Sequence, residues 1–177
     1  IVLNIKMKLY HFNDIKRNIS GIPSYVYTGY RLHYSQWETV KSICQIHNET
    51  INIWTHLWLF CYVIVLFYRL NDYSEIHFYN IFEDKYHFIL FTTYTSALIA
   101  SFCSTWTHTF YMTDFEYIKY PWLVDFGGIT FAIYFSGVGS TIYVFDGNLK
   151  YFYLIFTTYQ YYQNVTRGIM THISITK

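Results

Sequence analysis

The sequence predicts an all-α fold, a multi-pass transmembrane helix bundle, and three observations carry that prediction. Of its 177 residues, 53% are hydrophobic and only 13% charged, where a soluble domain carries about 25% charged. Four apolar segments follow one another at about 51–69, 87–111, 121–145 and 149–163, and the first three reach the roughly 20 residues that a spanning helix needs. The mean hydropathy of +0.15 is modest for such a protein. That index penalises tyrosine and tryptophan, however, and the chain holds 21 Tyr and 5 Trp, amphipathic rings of the kind that gather where a bilayer meets water.

Taken in order, residues 1–50 are mixed and polar, with a turn at Gly21-Ile22-Pro23, and form an N-terminal segment ahead of the bundle at 51–163. Six of the twelve Lys and Arg precede the first span: Lys6, Lys8, Lys16, Arg17, Arg31 and Lys41. Cationic residues flanking a span stay on the cytosolic side, so the N-terminus is predicted cytosolic. Spans one and three then run outward, and two and four inward. The fourth segment, KYFYLIFTTYQYY, is short and Tyr-rich, and residues 164–177 are expected to be a tail. The sequons at Asn18, Asn48 and Asn164 fall on the wrong side of the membrane for glycosylation in this topology.

Composition also excludes several classes. A net charge of +1 offers no basic patch for nucleic acid, so the lipid bilayer is the partner the sequence implies. Three cysteines, Cys44, Cys61 and Cys103, show no repeated spacing and give neither a disulfide framework nor a zinc-finger pattern. Cys61 and Cys103 fall inside apolar runs and are expected to be small core residues.

The polar residues within the spans are where function is sought, because ionisable groups in hydrocarbon are costly and turn inward. Glu49, Asn52 and His56 fall on one helical face, while Ile51, Trp54 and Trp58 point elsewhere, towards lipid and headgroups. Asn48 and Glu49 also suit helix capping and the helix dipole, which leaves His56 unexplained. In the second span Thr93, Ala97, Ala100, Ser104 and His108 form a small-residue stripe. In the third, Asp125, Gly128, Ala132, Ser136 and Gly139 do the same. Under the predicted topology His56, His108 and Asp125 lie at one depth near the cytosolic side. Imidazole and carboxylate together suit zinc, a catalytic zinc taking three protein ligands and a water. A structural polar network between helices would use the same residues.

Several stretches resemble the progestin and adipoQ receptor family, which includes the adiponectin receptors and is related to hemolysin III. They are Tyr27-Thr28-Gly29-Tyr30-Arg31, KSICQIHNETINIWTHL at 41–57, Ser104-x-x-x-His108, and Val124-Asp125-Phe126-Gly127-Gly128-Ile129. The resemblance covers about residues 23–145, and HNETINIWTHL is its most specific block. LYHFNDI and the NET form of that block look closest to a Golgi-resident scaffold within the family.

The resemblance implies a seven-helix membrane fold with a cytosolic N-terminus, of which about four helices are present here, in the plasma membrane or the Golgi. It implies a zinc ion near the cytosolic face, with His108 as one ligand and Asp125 holding the zinc-bound water. Ser104 belongs to the same motif, and His56 is not a usual ligand. The related membrane hydrolases include alkaline ceramidases, so zinc-dependent hydrolysis of a lipid amide such as ceramide is the implied activity. A hormone or a cytosolic signalling protein is the implied partner. The alternatives are a non-enzymatic scaffold with structural zinc, or an inactive fragment. The family's two remaining zinc ligands, a His-x-x-x-His pair in the seventh helix, have no counterpart, and His172 lies in a different context. Met112-Thr113 replaces a common Cys-His pair, and the sequence after Tyr162 is expected to leave the family pattern.

Overall fold

A computed structural model describes residues 8–15, 25–73, 84–111 and 119–175. The expected turn at residues 21–23 and the Met112-Thr113 pair lie outside them. Two short strands, β1 (Tyr10–His11) and β2 (Thr28–Tyr30), pair antiparallel, with a 3₁₀ turn at Phe12–Asp14 after the first. Five α-helices follow: α1 (Gln36–Ser42), α2 (Thr50–Tyr73), α3 (Lys85–Phe110), α4 (Lys119–Val144) and α5 (Gly147–Ile175). The all-α bundle is the architecture the sequence predicts, with a small β-hairpin added at its N-terminal end.

Three of these helices are long and apolar enough to cross a membrane: Thr50–Arg69, Lys85–Phe110 and Pro121–Val144. The fourth expected span falls in α5, which is long enough but not apolar enough to join them. Its Tyr, Gln, Thr and Asn side chains dilute its hydropathy. The residues expected to form a tail instead continue this helix as far as Ile175.

Each local element has a visible cause. Ser35 and Glu38 form a capping box at the start of α1. The Ser35 hydroxyl accepts the Glu38 amide at 3.3 Å, and the Glu38 carboxylate accepts the Ser35 amide at 2.9 Å. Gly29 sits at φ +95° where a Cβ would lie 2.8 Å from the Asn48 nitrogen, and its carbonyl accepts the Asn48 amide at 3.1 Å. Only glycine lets the hairpin approach the start of α2 this closely. The hairpin's own core of Ile15, Tyr30 and Leu32 closes on Tyr111, just past the end of α3.

The tightest seam joins α3 to α4. A Cβ at Gly128 would lie 2.5 Å from the Cys103 Cβ, and one at Gly139 would overlap the Thr92 hydroxyl. Small residues let these backbones approach, and hydroxyls such as Ser96 and Ser101 bond back to their own helix turn rather than to lipid. The predicted α4 stripe matches this seam, with Asp125, Gly128 and Gly139 buried. The α3 stripe is shifted by one residue at its start: Thr92 is buried and Thr93 is exposed, because the helix turns by 100° per residue and the seam follows Thr92. Cys61 also departs from expectation. It faces outward, and only Cys103 is partly enclosed.

Candidate functional site

The site lies where the start of α2, the end of α3 and the start of α4 meet beneath the N-terminal hairpin. His108 is its centre. Its Nδ1 lies 2.8 Å from Glu49 Oε2, and its ring stacks on His56 with centroids 5.6 Å apart and planes 5° from parallel. One turn earlier on α3, the Ser104 hydroxyl donates a short hydrogen bond to Asp125 Oδ1 across the α3–α4 seam. The Thr107 hydroxyl donates to the Pro121 carbonyl at 2.6 Å and pins the two helix ends together. Helical spacing on α3 thus delivers Ser104 to one neighbour and His108 to the other.

Glu49 is the hub on the α2 side. Its Oε2 also accepts the Asn52 amide at 2.8 Å, and the Asn48 amide lies 3.4 Å from Oε1. Burial pushes this carboxyl up. The hydrogen bonds from His108 and Asn52, with the charge on Arg31, outweigh burial and hold it below the ordinary range. Just ahead of α2, His47 Nδ1 accepts the Glu49 amide at 3.1 Å.

Arg31 is the residue that sequence reasoning passed over, noting it only as a basic residue and part of a motif. Its side chain is almost wholly enclosed, with 1% of the residue exposed. Nη1 donates to the Ser42 hydroxyl and Nη2 to the His108 carbonyl, both at 2.8 Å, while Nε is buried without a partner. Burial pushes the guanidinium down to about 10, with Glu49 opposing, so it stays cationic at neutral pH. A signal was present in its place within YTGYR, directly after the glycine that turns the hairpin onto α2. Burial and the positive charge of Arg31 together push the nearby His47 down to about 4, so His47 is neutral at pH 7.

The structure therefore brings together His56, His108, Ser104 and Asp125 with Glu49, and it leaves Trp54 and Trp58 facing outward. It does not gather a complete metal site. Among the described residues no three His, Cys, Asp or Glu side chains converge on one point, whereas a zinc centre takes at least three such ligands. Glu49 holds His108 Nδ1 and Ser104 holds Asp125 Oδ1, which leaves one nitrogen and one oxygen, fewer donors than zinc needs. These side chains alone do not fit zinc.

Three apolar helices of spanning length, closed at one end by buried charges and capped by a hairpin, define an integral membrane helix-bundle protein with a polar site between its helices. The chain belongs to the family described as HlyIII, Haemolysin-III related, which it matches over residues 44–173. That match runs past Tyr162, so the later stretch stays within the family, contrary to expectation. The chain is 31% identical over 137 residues to an uncharacterized protein of Schizosaccharomyces pombe, covering 75% of this chain and 30% of that one. It is 32% identical over 113 residues to the ADIPOR-like receptor IZH3 of Saccharomyces cerevisiae, covering 62% and 21%. Progestin and adipoQ receptor family member 3 of Homo sapiens is 26% identical over 145 residues, covering 80% and 45%. The chain spans less than half the length of each of these relatives.

Proposed function

We propose that this bundle works as a receptor-like membrane protein, oriented with its N-terminus in the cytosol, whose buried polar site takes part in hydrolysing a lipid amide of the ceramide class. The single observation that supports this reading is the Ser104–Asp125 hydrogen bond at the level of His108 and His56. A hydroxyl that donates to Oδ1 aims the carboxylate and leaves Oδ2 to accept a proton, which is the task of a general base. His108, fixed by Glu49, stands beside it as a second proton-handling group. Zinc belongs to the proposal only with ligands beyond the described residues. His108 would be this chain's contribution to it, and a bound zinc would polarise a carbonyl and acidify a water.

The test is turnover of a fluorescent ceramide by the purified protein in nanodiscs, wild type against Asp125→Asn. Loss of at least a hundredfold with unchanged thermal unfolding is expected, in line with removal of a general base. Equal rates, or none in either protein, would overturn the enzymatic reading.

A second reading is a non-enzymatic scaffold that engages a hormone or a cytosolic signalling protein. It is favoured by the incomplete donor set and by the firmness with which Arg31 ties the N-terminal hairpin to α3. Under it, Asp125→Asn leaves signalling intact.

A further inference from the structure

We infer that Glu49 is a positioning residue that locks His108 in its Nδ1–H tautomer, so that Nε2 is the nitrogen whose lone pair is free for a proton, a substrate group or a metal. The argument starts from what each atom can do. An ionised carboxylate only accepts hydrogen bonds, so at 2.8 Å from Glu49 Oε2 the His108 Nδ1 must carry the hydrogen. A neutral imidazole has one hydrogen to place, and its other nitrogen is then an acceptor.

Three further contacts keep that geometry from relaxing. Asn52 donates to the same Oε2 and holds the carboxylate in place. The His56 ring lies parallel to His108, so tilting the His108 ring out of its plane would break the stack. Arg31 Nη2 grips the backbone carbonyl of His108 itself. The residue is thus held at its ring by one part of the N-terminal region and at its main chain by another. A carboxylate behind an imidazole is a general device for fixing tautomer and orientation. The significance of the inference rests on the functional reading above, but the inference concerns the ring's hydrogen, not turnover.

The experiment is nitrogen-15 NMR of the histidine-labelled, metal-free chain in lipid nanodiscs near pH 7.5, with the His108 signals assigned by their loss in His108→Gln. The wild type is expected to show the Nδ1–H tautomer. Glu49→Gln keeps an acceptor and should preserve it. Glu49→Ala should change the tautomer ratio by about tenfold or more, the factor that a charge-assisted hydrogen bond is worth. A wild-type Nε2–H tautomer overturns the inference without any variant. So does an unchanged ratio in a folded Glu49→Ala, which would make Glu49 a structural residue only. If turnover fails while the tautomer behaves as described, the enzymatic reading falls and the positioning role stands.

Discussion

Each end of the bundle holds a basic side chain against a carboxylate, and the shorter contact matters less. At one end Lys85 Nζ lies 2.5 Å from Asp146 Oδ1, with side chains 42% and 78% exposed. At the other, His108 Nδ1 lies 2.8 Å from Glu49 Oε2, with side chains 18% and 12% exposed. Water screens the first pair, and its long lysine must be ordered to make the contact. The second has exchanged water for Asn52, His56 and a nearby guanidinium, so its partners cannot be withdrawn without leaving charge in an apolar place. Distance alone would rank them the wrong way round. Enclosure decides.

Removing Arg31 is the harshest way to probe that difference. Arg31→Ala deletes one buried and one part-buried hydrogen bond and a cation that acts on Glu49, and it should cost about 3–5 kcal/mol, the range for breaking a buried charged contact. Reversible unfolding in mixed micelles measures it. A cost below 1 kcal/mol would mean that the hairpin does not secure the site end.

Acidification should separate the two ends next. His47 has its pKa in the fold near 4, against an ordinary 6.5, so the unfolded chain takes up the proton first. Stability is therefore present above about 6.5 and lost as pH falls from there towards 4. The lowered carboxyl of Glu49 adds loss in the same direction at lower pH. Thermal unfolding scanned over that window should show a declining midpoint that flattens in His47→Gln. A midpoint independent of pH from 7 to 4 would contradict the enclosed setting of His47.

The smallest effect belongs to the far end. Lys85→Ala should leave the thermal midpoint unchanged within error, and molar salt should not distinguish it from the wild type, because salt already screens an exposed pair. A clear drop would show that this end is more enclosed than its exposure indicates.

The site was partly legible before any fold was known. Asp125, Ser104 and His108 were picked out because ionisable and small residues recurred at helical spacing inside apolar runs, and the structure places all three inward. Glu49 was seen but divided between a cap and a site, since one residue before a helix satisfies both descriptions. Arg31 and His47 were passed over as candidates, because nothing local marks a polar residue just after a short strand, or between two helices, as buried. Arg31 finds its partners in Ser42 and the His108 carbonyl, which stand 11 and 77 positions away along the chain.

The amino-acid sequence by itself determined the helices, their membrane-length apolar character and the faces that must turn from lipid. These follow from periodicity and from the cost of uncovered polar groups in hydrocarbon. Only the tertiary structure decided which inward groups meet: Ser104 with Asp125, His108 with Glu49, and Arg31 with the His108 carbonyl. Helical periodicity orients a side chain on its own helix, whereas the partner across the seam is chosen by how closely glycines such as Gly128 let two backbones approach.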